Sequence, residues 1–228
     1  MSEIIFFVLI TISILVVYCL NKIYDKRGLY YSLVLMSLIT FIFSFKIVKI
    51  FTLNINLNII TMVSIYTIIY ILIFKYNTKE TKNILLLTTY TNVISALFLL
   101  LINYYIPSVT ETVSISIEGT FLYNYKILIA YPIIMLLSEF ITIKLFNFIK
   151  ILSDNIYINI ILTNVIVGLL YTLVFYLIAY INILKVNTSL FLGVTTFLVS
   201  IIITSINLIL VKNLMKSKEV KEWEILSF

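Results

Sequence analysis

Histidine is absent from the chain, and cysteine occurs once, at Cys19. Those two facts remove imidazole metal sites, histidine-based catalytic triads, thiolate zinc sites and any internal disulfide. Charge is scarce as well: Asp, Glu, Lys and Arg make up 11% of the 228 residues, against 62% hydrophobic ones. A soluble domain of this size needs a charged exterior, and a disordered chain is polar and poor in aromatics. With a mean hydropathy of +1.16, the composition leaves a polytopic membrane protein. Glycine is limited to four residues and proline to two. No phosphate-cradling glycine loop is present, nor an aspartate pair at catalytic spacing, so an enzyme is not expected. Gly168 and Gly193 read as packing or flexibility points, and Pro132 as a helix-start or kink residue.

What is there is a series of apolar runs. A spanning helix needs roughly 20 mainly apolar residues. Seven segments qualify: Ile4–Leu20, Leu29–Ile50, Leu57–Phe74, Ile84–Ile106, Ile127–Ile149, Ile156–Ile183 and Ser189–Val211. Many are rich in β-branched residues. They are nevertheless long and do not alternate, and an open sheet cannot satisfy its backbone in a bilayer, so helices are expected. The expectation is one all-α domain over residues 1–228, a transmembrane bundle of six or seven helices in the cell membrane. The first run has Glu3 before it and no cleavage signature after it, and reads as a retained helix. The stretch from Pro107 to Lys126 reads as a short strand or interfacial segment with a turn at Gly119.

The net charge of +6 is not a nucleic-acid signal, because the basic residues sit in short loops between apolar runs. With the N-terminus outside and the C-terminus inside, twelve of them fall inside (Lys22, Lys26, Arg27, Lys75, Lys79, Lys82, Lys144, Lys150, Lys212, Lys216, Lys218 and Lys221). Four fall outside: Lys46, Lys49, Lys126 and Lys185. That asymmetry sets the orientation. The bilayer and a small-molecule substrate are the expected partners, with no cofactor and no metal, in a monomer or a homo-oligomer.

Polar residues align on several of the runs, since positions three, four and seven apart share a helical face. The aligned sets are Ser37, Thr40 and Ser44; Thr88, Asn92, Ser95 and Asn103; Ser138, Glu139 and Thr142; Asn164, Gly168 and Tyr171; and Thr196, Ser200, Thr204 and Asn207. Five such stripes, converging, would line a polar interior near the midplane, where transporters hold their substrates. The same residue types also bond packed membrane helices together. The sharpest candidate is Glu139, within "PIIMLLSEFITIKLFNFIK". A carboxylate at the centre of a spanning helix costs about 2.5–3.5 kcal/mol on insertion scales. Glu139 is too short and too central to reach water along the helix, so an inward position is expected. Lys46 and Lys144 can snorkel. Tyrosines and Trp223 near helix ends read as interfacial anchors.

Four stretches carry a resemblance: "KIYDKRGLY", "IYTIIYILIFKYNTKETKN", "LLSEFITIKLFNFIK" and "LTNVIVGLLYTLVF". In order and spacing they resemble the vitamin-uptake-transporter family, which includes the queuosine precursor transporters. The resemblance implies uptake of a 7-deazaguanine-type precursor. It places substrate-binding positions at Ser138, Glu139, Thr142, Tyr171 and Asn207, with Asn92 and Asn164 added from the polar stripes. The chain departs from the family pattern where membrane carboxylates are expected, at Tyr70, Thr142 and Tyr171, and where Glu139 replaces a glutamine. Two alternatives stand beside transport. One is a substrate-binding subunit of an energy-coupling-factor vitamin transporter, against which the alanine-free first run counts. The other is a degenerate accessory membrane protein.

Overall fold

The computed structural model describes residues 2–76, 78–102, 125–153, 155–180 and 183–225. They form helix α1 (Ser2–Phe43), strands β1 (Ile47–Ile50) and β2 (Leu53–Asn56), then helices α2 (Ile59–Lys75), α3 (Thr78–Ile102), α4 (Tyr125–Leu152), α5 (Ile156–Ala179) and α6 (Val186–Ile225). All of these helices except α2 are long and apolar enough to cross a membrane. Their outward faces are apolar: Ile129, Ile133 and Leu137, one turn apart on α4, are all exposed. Hydrocarbon solvates such a surface better than water does.

The first expected segment and most of the second fall within α1, which is bent. Asp25 has φ 48° and ψ −121°, outside the helical region, and divides α1 into arms 2–24 and 26–43. Residues eight apart in a straight helix are separated by about 12 Å. Here Gly28 packs directly against the carbonyl of Leu20, so the chain doubles back. The Asn21 amide donates to the Asp25 carbonyl at 2.8 Å, closing the turn. An ion pair between Lys26 and Glu80 ties this turn to the start of α3, with the Tyr30 hydroxyl donating to the same carboxylate at 3.3 Å.

The expected second helix, Leu29–Ile50, stops at Phe43. Residues Ile47–Ile50 instead pair antiparallel with Leu53–Asn56. Phe51 and Thr52 make the turn with φ 45° and 71°, the left-handed pair that a two-residue hairpin turn requires. The fold is all-helical as expected, with this short hairpin set among the helices. A bilayer excludes non-helical backbone only where lipid touches it, and the base of the hairpin is enclosed by protein: Ile55 and Asn56 are fully buried. Lys46 therefore precedes a strand and is not on a helix. The interfacial reading of Pro107 to Lys126 falls almost wholly outside the described residues, as does Asn103.

Helix α2 is the axis of the fold. It has 17 residues, of which 15 are buried, from Ile59 through Ile73. Both arms of α1 and the helices α3 to α6 all pack on it. Asn155 starts α5 by accepting from the backbone N–H groups of Tyr157 and Ile158 at 3.0 and 3.4 Å, a side-chain N-cap. Gly168 brings α5 close to α6, where an added Cβ would stand 3.4 Å from Ser200 Oγ. Gly193 does the same against the Thr172 carbonyl, at 3.4 Å.

Candidate ligand site around the central helix

The polar stripes point inward. Ser37, Thr40, Ser44, Thr88, Asn92, Ser138, Glu139, Thr142, Asn164, Thr196, Ser200, Thr204 and Asn207 are all buried. Ser95 is half-buried, and its hydroxyl returns to the Thr91 carbonyl at 2.8 Å. The stripes meet α2 in three layers.

At the hairpin end, the Asn56 amide donates to the Ser44 carbonyl at 2.8 Å and to the Tyr180 hydroxyl at 2.9 Å. The Asn58 amide donates to the Tyr171 hydroxyl at 3.3 Å, and the Tyr176 hydroxyl donates to Asn58 Oδ1 at 3.5 Å. Tyr171 stacks on Phe175 with centroids 5.3 Å apart.

In the middle, Thr40 donates to Thr61 at 2.7 Å and Ser64 to Ser13 at 3.3 Å. Asn92 Nδ2 donates to Ser37 Oγ at 2.6 Å, and the Tyr131 hydroxyl donates to the Ser37 carbonyl at 3.1 Å. Glu139 shares this layer. It is 1% exposed, and it lies within electrostatic range of both Tyr66 and Tyr131.

Toward the opposite end, the Tyr70 hydroxyl donates to Asn164 Oδ1 at 2.5 Å, and Asn164 Nδ2 donates to Thr204 Oγ1 at 3.1 Å. Tyr70 packs on Phe146 with centroids 4.8 Å apart. A small crevice of about 10 Å³ touches Asn164 and Thr204 from the lipid side.

The sequence-derived candidates thus divide into two groups. Ser138 and Thr142 share a face with Glu139, but their hydroxyls donate back to the carbonyls of Met135 and Ser138, at 2.8 and 2.7 Å. Asn164 and Tyr171 are paired to other side chains. In contrast, Glu139 Oε1, Asn92 Oδ1 and both polar atoms of Asn207 are buried and make no hydrogen bond. The Tyr66 hydroxyl belongs with these: it approaches Ser138 without hydrogen-bond geometry. Buried polar atoms are paired in the great majority of cases, and an unpaired one costs about 1–3 kcal/mol. Asn92 and Tyr131 both bond Ser37, and Glu139 lies within electrostatic range of Tyr131 and Tyr66, so the three unsatisfied groups belong to the middle layer. Among the residues whose side chains are described, Glu139 is the one buried charged group.

Sequence reading missed Asn56, Asn58, Tyr66, Tyr131, Tyr176 and Tyr180, and noted Tyr70 only as a departure from the family pattern. Tyrosines near helix ends, such as Tyr131 and Tyr180, read as interfacial anchors, yet all five are buried. A local signal existed for the asparagines: Asn54, Asn56 and Asn58 alternate with Ile55 and Leu57, the period of a strand. No family model, no curated protein and no solved structure matches this chain.

Proposed function

We propose that this chain is a multi-pass cell-membrane transporter for a small polar metabolite. Its sequence resemblance points to a 7-deazaguanine-type queuosine precursor. The observation that carries the reading is that Glu139 Oε1, Asn92 Oδ1 and the Tyr66 hydroxyl are all buried and unpaired in the layer around a central helix that the others surround. A ligand that donates hydrogen bonds satisfies two acceptors there and meets aromatic faces at Tyr66 and Tyr131. The Glu139 carboxyl group favours a neutral or cationic substrate over one that carries a phosphate or carboxylate, since like charges repel in a buried site. The test is uptake of labelled queuosine precursors by cells that lack their own transporter and express this chain. Accumulation above the empty-vector control is expected. Uptake of an anionic metabolite with no uptake of neutral or cationic ones would reject the reading.

The orientation is part of the proposal. Reporter fusions after Lys79 and at Phe228 are expected to report cytoplasm, and one near Ser116 the outside. Reversal of all three would overturn the positive-inside assignment. An accessory protein without transport is the second reading. It is favoured by the bonds that Ser138 and Thr142 make to their own helix, which take up the hydroxyl protons that a ligand would need. Precursor rescue of an auxotroph separates the two.

A further inference from the structure

We propose that the β1–β2 hairpin is a gate over the interior site, held shut by side chains of α5 and α6. This rests on the transporter reading and identifies which part of the fold moves.

Three observations meet at the hairpin. The first is its position. Its base runs into α2 through Asn56, Leu57 and Asn58, and Asn56 and Asn58 are fully buried above Thr61, which bonds Thr40 in the middle layer. Among the described residues, the base of the hairpin stands between this end of the bundle and the middle layer. The second is how it is attached. Among the described residues, the backbone-to-backbone hydrogen bonds of β2 go to β1, its partner in a two-stranded sheet. Its links to α5 and α6 are side-chain bonds. Thr195 Oγ1 donates to the Asn54 carbonyl at 2.6 Å, Asn56 N–H donates to Thr196 Oγ1 at 3.3 Å, and Asn56 Nδ2 donates to the Tyr180 hydroxyl at 2.9 Å. Such bonds can exchange for water one at a time without breaking any helix. The third is its intrinsic weakness. An isolated two-stranded hairpin is marginal in water. This one turns through Phe51 and Thr52 at φ 45° and 71°, a conformation that disfavours a β-branched residue. The layer at the opposite end differs in kind, since Tyr70, Asn164 and Thr204 all lie on continuous helices.

The gate swings about the junctions with α1 and α2. Lys46 and Leu57 mark them, joined by the Leu57 N–H to the Lys46 carbonyl at 2.9 Å. The Asn56 side chain follows the hairpin and leaves the Ser44 carbonyl and the Tyr180 hydroxyl, opening the way to Thr61.

The experiment needs no substrate. In a Cys19→Ser background, Thr61→Cys places a thiol beneath the gate and Thr204→Cys places one in the opposite layer. Each protein is reconstituted in lipid nanodiscs, where both faces meet a water-soluble maleimide. Adding Thr195→Val and Thr196→Val removes two links to the hairpin with nearly the same side-chain shape. Labelling of Thr61→Cys is expected to speed up by about tenfold, equivalent to about 1.4 kcal/mol of opening free energy, while Thr204→Cys is unchanged. Amides of residues 47–56 are expected to exchange with deuterium faster than those of α2 in the otherwise unmodified chain. Unchanged labelling at Thr61→Cys overturns the gate, and equal acceleration at both positions overturns it in favour of general loosening. Hairpin amides as protected as those of α2 also overturn it. Uptake is measured separately, so a chain that gates without transporting a precursor rejects the transporter reading alone.

Discussion

Glu139→Leu is expected to raise the melting temperature of the purified protein and to reduce substrate uptake to background. The two effects have one cause. In the folded chain Glu139 is 1% exposed, and its Oε1 has no hydrogen-bond partner. Removing an unsatisfied buried group recovers about 1–3 kcal/mol of desolvation, and leucine fills a similar volume. For a chain of this size each kcal/mol corresponds to about 2–4 °C. A structural acid would show the reverse, because deleting one partner of a satisfied buried pair is destabilising. Keeping an unfavourable group is the pattern expected where stability is traded for function. Glu139→Gln separates the roles further. It keeps an acceptor, adds a donor and cannot titrate. If the Gln variant moves an identified substrate at the wild-type rate and with the wild-type pH dependence, Glu139 carries no coupled proton. If Glu139→Leu also transports normally, the residue is outside the site. A thermal-shift assay in detergent and an uptake time course are sufficient, with expression measured in parallel so that loss of protein is not mistaken for loss of transport.

Most of the helical architecture was legible because a bilayer makes hydropathy a local signal. The runs at Ile127–Ile149 and Ile156–Ile183 became α4 and α5 with ends displaced by a few residues, and the inward placement of Glu139 followed from its cost in lipid. What was not legible depended on neighbours distant in sequence. The apolar run continuing to Ile50 gave no reason to stop a helix at Phe43. The hairpin exists because Ser44, Tyr180, Thr195 and Thr196 are there to bond its backbone and asparagines. Nor does the sequence of α2 reveal that it is central. Its shortness and its lack of interior charge hint at it. The reason Thr61, Ser64, Tyr66, Thr67 and Tyr70 point in several directions is that protein surrounds α2 on all sides. The same gap hid Tyr66 and Tyr131 from the candidate site. A tyrosine in a membrane sequence reads as an interfacial residue until a structure supplies the partner that takes its hydroxyl.

Gly28→Ala is expected to cause the largest loss of folded protein of any single methyl addition among the glycines the structure describes in contact. A Cβ at position 28 would fall inside the van der Waals shell of the Leu20 carbonyl and stand 2.8 Å from the Asn21 backbone nitrogen. Those atoms are backbone, so no rotamer change relieves the overlap. Gly28 itself has no positive φ, so the constraint is close approach and not conformational freedom. The turn at Asp25 would have to open, taking with it the Asn21–Asp25 bond and the ion pair between Lys26 and Glu80. It would also draw the two arms of α1 away from α2, where Ser13 and Thr40 bond Ser64 and Thr61. Overpacking of this kind costs about 1–3 kcal/mol, occasionally more. Gly168→Ala and Gly193→Ala are the controls. Their nearest neighbours stand at 3.4 Å, and a shift of a few tenths of an ångström accommodates the methyl group. Size-exclusion profiles and melting temperatures of the three variants should place Gly28→Ala well below the other two. A Gly28→Ala protein that is monodisperse and melts with the wild type would mean that the arms of α1 do not fold back at this glycine.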